Sequence, residues 1–355
     1  MKLKINQRAI KYTSLIVLAA TLLVSCGKAS SKSMIAAIAK TNTILKDSIV
    51  KDSILFSNQS SENTNNDTTY ISLMVNMYDA IQKHSQNCVL VIGKYIDGQY
   101  IPFEDEQCES LNDIKKTGSL RIFKQNRGFA TFQHGVKTGE YNIAGITFES
   151  FSCSTLPVGI ANLNSLVNLS KNGSKQGYSG GSKKKRIEST FEYFIALNKI
   201  PENTNYTKSN NLNFKPDSKL LKTIKDMFFT SYLDSLNIKT INAKDLKLSA
   251  HLISDKKDSC IIATYHHDTD SLCISSTHIL QIHGNSVVDM LQLNNTNEID
   301  AWGDGYKLFD LLDIDGDGKN EIIFEIGYYE STGFEIYKLV DNQYKLVLSV
   351  IPWGC

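Results

Sequence analysis

The sequence predicts an α+β protein: an α/β or α+β N-terminal domain followed by a mainly antiparallel β C-terminal domain with one leading helix. Three observations predict it. Apolar residues recur at helical spacing over 69–83 and again over 217–236. Short apolar runs punctuated by glycine occupy much of the stretch between residues 88 and 151. Beyond residue 236 the pattern is almost entirely strand and turn. With 355 residues, 41% of them apolar, the chain is long enough for about two domains, each with its own core.

The elements are justified in order. Residues 1–25 read as a secretory signal, with Lys2, Lys4, Arg8 and Lys11 ahead of an apolar run over 14–24. That run is shorter than the roughly 20 apolar residues a membrane-spanning helix needs. Residues 26–66, rich in Ser, Asn, Thr and Lys, cannot bury a core and read as a flexible tether. The N-terminal domain takes 67–200. It starts with the helix over 69–83, whose one face carries Tyr70, Leu73, Met74, Met77, Tyr78 and Ile81. A buried strand follows at 88–92, then strands at 119–123, 128–133 and 141–151. Residues 201–215 form a polar linker, and the β-rich domain takes 216–355, led by a helix with Leu220, Ile224, Met227, Phe228 and Ser231 on one side. Within it, 252–262 can be laid over 313–323, and 279–285 over 335–342, as a faint internal repeat.

The signal ends in Leu23, Val24, Ser25 and Cys26, which resembles the lipobox of bacterial lipoproteins. The resemblance implies cleavage before Cys26 and lipidation of that residue, so the first partner expected is a membrane, reached through acyl chains. Gly27 and the absence of an acidic run after Cys26 imply, by the same resemblance, outer-membrane sorting with the protein facing the periplasm. Loss of four cations with the signal takes the formal charge from +1 to −3, +1 less four. A mildly acidic chain is a poor match for DNA or RNA, whose phosphates demand a surplus of Lys and Arg. Six cysteines remain: Cys88, Cys108, Cys153, Cys260, Cys273 and Cys355. An oxidising compartment permits up to three disulfides among them. Cys260 and Cys273, flanking one expected hairpin, are the favoured pair.

The strongest chemical motif is Asp313, Asp315, Asp317, Gly318 and Glu321. Alternate carboxylates in a glycine-permitted loop converge oxygens on one point, as a hard cation such as Ca²⁺ requires. An EF-hand is excluded, because its twelfth loop position is Phe324 rather than an acid. Apolar β-type runs lie on both sides, at 308–312 and 322–326. A loop of this kind between two strands resembles the calcium loops of FG-GAP and VCBS repeats, the integrin-type β-propeller families. The resemblance spans about residues 306–350. It implies Asp313, Asp315, Asp317 and Glu321 as side-chain ligands, the Lys319 carbonyl as a further ligand, and a structural rather than catalytic role for the ion. A single full copy of the loop gives no ground for a closed propeller.

Other constellations are weaker. Gly177, Ser179 and Gly181 match the GxSxG elbow, but polar flanks replace the strand and helix that elbow needs. Residues 183–186, three Lys and an Arg, suit a solvated loop or an anionic surface. Five histidines cluster between 251 and 283, and His266, His267 and Asp268 could contribute to a transition-metal site. Tyr328, Tyr329 and Trp353 could serve a protein or glycan partner, although most aromatics are expected in the core. The function expected is therefore a non-enzymatic, lipid-anchored envelope protein. It would act as a binding or structural module with a calcium brace and take an envelope protein or glycan as partner. The alternatives are an envelope hydrolase with a calcium-supported loop and a His-dependent metal-handling lipoprotein.

Overall fold

Antiparallel pairing organises everything the computed structural model describes, namely residues 53–56, 67–79, 84–151, 154–166, 175–176, 190–202, 210–236, 238, 240–242, 244–254, 258–268, 272–283, 286–298, 305–328 and 331–353. The first nine strands are β1 (Ile54–Leu55), β2 (Thr69–Asp79), β3 (His84–Ile96), β4 (Gln99–Pro102), β5 (Gly128–Gln133), β6 (Val136–Phe151), β7 (Ser154–Leu166), β8 (Lys175–Gln176) and β9 (Thr190–Leu197). They form one sheet in which β6, β5, β9, β2, β3 and β7 pair in succession and β7 returns to β6, closing a ring. Helices α1 (Leu111–Ile114) and α2 (Gly118–Gln125) lie between β4 and β5 in sequence. Next come β10 (Asn211–Leu212), helix α3 (Ser218–Ser231), β11 (Leu246–Leu252), β12 (Ser259–Asp268), β13 (Leu272–His283) and β14 (Ser286–Glu298), whose strands make a five-stranded sheet in sequence order. The last four, β15 (Gly305–Leu312), β16 (Glu321–Tyr328), β17 (Ser331–Val340) and β18 (Gln343–Trp353), make a four-stranded meander.

Four buried clusters stack these pieces in layers. Leu120, Ile122 and Phe123 of α2 pack on one face of the nine-stranded sheet, against Met74, Val89, Phe129, Ile143 and Ala196. Its other face, with Leu73, Leu90, Phe132 and Ile195, meets Leu312, Ile323, Phe334, Ile336 and Leu348 of the four-stranded sheet. The far face of that sheet, with Leu311, Ile322, Phe324 and Tyr337, meets Cys260, Ile262, Ile279 and Met290 of the five-stranded sheet. Ile224 and Phe228 of α3 then cover the outer face, against Ile261, Ala263 and Tyr265. The four-stranded sheet is thus the middle layer, and from Ile54 onward the chain is one compact unit. Strands before residue 200 and after residue 305 share the same core.

Local chemistry fixes the turns. Asp97–Gly98, His134–Gly135 and Asp341–Asn342 each join two strands with both central residues at positive φ. That is the two-residue turn whose twist matches the strands it joins. Asp217 caps α3 by accepting the Leu220 N–H at 2.7 Å, and Pro216 precedes it where the chain must be extended.

Three expectations are corrected. The fold is mostly β, not an α+β mixture: the described residues hold eighteen strands against three short α-helices and one 3-10 turn. Of the helix expected over 69–83, the described part, 69–79, is instead β2, a central strand between β3 and β9. Ile71, Leu73 and Val75 enter one core and Met74 another, so the alternation that would mark a strand is lost and a helical spacing appears by coincidence. The segment 119–123 is not a strand but α2. Thr117 accepts the Leu120 N–H, and Asp105, distant in sequence, accepts the Gly118 and Ser119 N–H groups, each at 2.9 Å.

The favoured disulfide also fails. The register pairs Ile261 with Leu280 and Asp268 with Cys273, so Cys260 and Cys273 stand at opposite ends of the β12–β13 hairpin. Eight residues of strand put them about 26 Å apart, far beyond disulfide reach. Cys26, Cys153 and Cys355, the residues Gly177, Ser179 and Gly181, and the basic run 183–186 lie outside the described residues.

Candidate metal centre

The acidic motif folds as the loop between β15 and β16, with Leu312 and Glu321 paired at its base. Gly316 and Gly318, at φ 78° and 82°, let the loop reverse twice where a side chain would be strained. Asp313, almost fully buried, holds the turn from inside: one carboxylate oxygen accepts the Gly316 N–H at 2.8 Å, the other the Gly318 N–H at 3.0 Å. Asp315 accepts the Asp317 N–H at 3.2 Å and Asp317 the Lys319 N–H at 2.8 Å. The result gathers one oxygen from each of Asp313, Asp315 and Asp317 within 4.8 Å of one another. The hard-cation reading of the sequence required that convergence.

Glu321 stands at the start of β16 and is fully buried. One of its oxygens accepts the Ile314 N–H at 2.7 Å, while Oε1 has no hydrogen-bond partner. Burial, and then the nearby Asp315 charge, push its carboxyl well above the ordinary carboxylate range. The Tyr100 hydroxyl is likewise buried with no hydrogen bond of good geometry, and burial first, then the adjacent Glu321 carboxylate, pushes its pKa upward. Lys319 lies on the exposed side and makes an isolated antiparallel bridge with Ser254. Asn320 extends that docking: its N–H donates to the Ile253 carbonyl at 2.9 Å and its side chain to Leu252 at 3.0 Å. The two turns overlaid as an internal repeat are therefore in contact, each joining the first two strands of an antiparallel meander.

Sequence reasoning missed one member of the centre. Lys338, on β17, donates to Asp315 and lies 3.1 Å from Asp317. Burial alone would lower its pKa, but hydrogen bonds to both aspartates outweigh that, and the net shift is upward. One ammonium is thus shared between two of the three clustered aspartates. Nothing local signals it, because Lys338 follows Asp315 by 23 residues and sits in an ordinary strand pattern. The donor set fits a hard divalent cation: every donor is an oxygen, and one buried carboxylate oxygen still lacks a counterpart.

No protein-family model matches this chain, and no curated protein or solved structure matches it significantly. Any function must therefore be argued from the residues themselves.

The histidines divide by strand face. His251 is buried on β11, bonded to Ser249 at 2.7 Å, and burial lowers its pKa to about 4. His267 faces α3 and meets Asp245 at 3.1 Å, whereas His266 points to the opposite face, beside Asp268. His278 and His283 both belong to β13, and the side chain of His283 lies outside the described residues.

His278 is fully buried, with Nδ1 2.6 Å from Asp289 and Nε2 3.3 Å from the Ser231 hydroxyl. That order matches a nucleophile, base and orienting acid. Its placement opposes the chemistry. Ser231 ends α3, where helix carbonyls rather than N–H groups point outward and would repel an oxyanion. The Phe228 ring lies edge-on to His278 at 4.4 Å, so the trio acts as a polar clamp fastening α3 to the sheet. Of the aromatics proposed for partners, Tyr328 is 42% exposed, Trp353 stacks on Phe151 at 5.2 Å, and Tyr329 lies outside the described residues.

Proposed function

We propose that this chain is a membrane-anchored bacterial envelope lipoprotein, lipidated at Cys26 and placed on the outer membrane facing the periplasm. It acts as a binding or structural module whose middle sheet is braced by one Ca²⁺ in the loop 313–321. The supporting observation is the convergence of Asp313, Asp315 and Asp317 within 4.8 Å, backed by the unpartnered buried oxygen of Glu321. These residues, with the Lys319 carbonyl, would hold the ion, which supplies charge neutralisation and a cross-link between the ends of β15 and β16. The loop docks on 252–254, so an ion there steadies the junction of two sheets and leaves the exposed apolar residues of β16 and β18, Tyr328, Leu346 and Ile351, for an envelope protein or glycan.

Calorimetric titration of Ca²⁺ into the full chain, beside an Asp315→Ala, Asp317→Ala variant, tests the brace. One saturable site that disappears in the variant is expected. Absence of both heat and a thermal shift at about millimolar Ca²⁺, the weak end of protein calcium sites, would refute it. Mass analysis of the membrane fraction tests the anchor, with an acylated Cys26 expected as the first residue.

A further inference from the structure

The end of the β12–β13 hairpin carries a second, chemically different cluster. Asp268 and Cys273 are directly paired across the hairpin, and His266, two residues before Asp268, shares their face. One ligand atom from each of the three lies within 4.8 Å of the other two. His266 Nε2 and Asp268 Oδ1 are 3.4 Å apart. That exceeds the usual 2.9–3.0 Å of an N–H···O hydrogen bond. It matches the edge of a zinc tetrahedron, about 1.6 times a bond of about 2.1 Å, or roughly 3.4 Å.

We propose that His266, Asp268 and Cys273 form a zinc-type site, taking one borderline-soft divalent ion with the fourth position open to solvent. An imidazole nitrogen, a carboxylate oxygen and a thiolate sulfur together favour Zn²⁺ over Ca²⁺ or Mg²⁺, which prefer oxygen alone. The strands supply rigidity: the register fixes Asp268 opposite Cys273, and the His266 backbone N–H is held by the Asp245 carbonyl at 2.8 Å. His267, adjacent in sequence, is excluded because it faces the other way and is engaged by Asp245. His266 and Asp268 are 41% and 62% exposed as side chains, so an ion reaches them without unfolding. Binding converts the thiol to a thiolate and releases its proton to the buffer.

Titration of Zn²⁺ into the reduced full chain, in two buffers of different ionisation enthalpy, reads affinity and proton release together. One ion per chain with about one proton released is expected. Cys273→Ser and His266→Gln should each weaken binding at least tenfold, the effect expected when one ligand is lost, while His267→Gln leaves it unchanged. Co²⁺ in the unaltered chain should show a thiolate charge-transfer band and tetrahedral ligand-field bands, a readout independent of any variant. Zinc affinity retained in the Cys273→Ser, His266→Gln double variant would overturn the assignment, as would an octahedral cobalt spectrum or absence of stoichiometric binding. Because Ca²⁺ binding at 313–321 is scored separately, failure of one site does not imply failure of the other.

Discussion

The meanders β11–β14 and β15–β18 share one topology and differ in where the layers place them. The first buries one face under α3 and the other against its twin. The second is covered by a sheet on each side. Both have a strand covered on two faces: β13 is buried without a break from Ile274 to Leu280, a run filled largely by Ser, Thr and His, and β16 from Glu321 to Ile326, filled by Ile and Phe beside two glutamates. The equivalent turns differ as well. In the first meander Ser254 donates to Asp258 at 2.8 Å. In the second, Asp313 and Glu321 are buried at the loop, with Asp310, Glu325 and Glu335 buried in the strands. A middle layer that buries so many carboxylates has to satisfy them from within. Tyr193 serves Glu325 at 2.5 Å, and backbone N–H groups serve Asp310 and Asp313. Lys338 serves Asp315 and Asp317 in the loop. Duplicated topology thus says nothing about chemistry until the layer position is known.

The largest effect should come from breaking the interface between the twins. Phe324→Ala removes a fully buried ring from the middle sheet and should cost about 3–5 kcal/mol by denaturant titration. Ile262→Val, on the facing surface of the first meander, should cost only about 0.5–1.5 kcal/mol. Equal losses would show that the Phe324 site collapses around the lost ring and that this interface is not tightly packed.

The next effect separates the two turns. Lys338→Met takes the ammonium from an Asp315 carboxylate whose side chain is only 1% exposed and should destabilise the ion-free chain by about 3 kcal/mol. Added Ca²⁺ should restore most of that loss, with tighter apparent binding because no ammonium has to be displaced. Stability unchanged with and without Ca²⁺ would remove Lys338 from the centre. Ser254→Ala, in the turn of the first meander, should show no Ca²⁺-dependent difference.

The smallest effect concerns pH. Burial pushes Asp310 up to about 7 against backbone N–H donation from Gly135 and Leu311. The native state therefore holds this proton between about pH 4 and 7 while the unfolded chain has released it. Stability from this group is complete below about pH 4 and is lost as pH rises through about 7, at up to about 1.4 kcal/mol per pH unit, the limit for one proton. Asp310→Asn keeps the accepting oxygen and should flatten that slope in pH-dependent thermal unfolding. Part of the slope should survive, because Glu321 is shifted in the same direction. An unaltered slope would show that Asp310 is ionised in the native state.

The strands at 128–133 and 141–151, the helix over 217–236 and the acidic loop were legible in the sequence because their signals are local: alternation, an N-cap, glycines among carboxylates. The loop motif alone determined that Asp313, Asp315 and Asp317 would gather, since residues two apart in a tight turn cannot avoid one another. Tertiary structure decided the rest. Burial of β2 on both faces removed the pattern that names a strand, and a cap from Asp105 made a helix of residues that alternate like one. Sheet register decided that Cys273 meets Asp268 rather than Cys260, and that His266 and His267 part company. Layer order decided that Lys338 reaches the acidic loop and that Glu321 keeps a buried oxygen unmatched. The physical reason is range: a turn is set by neighbours in sequence, but a counter-charge or a buried second face comes from residues that meet only when sheets stack.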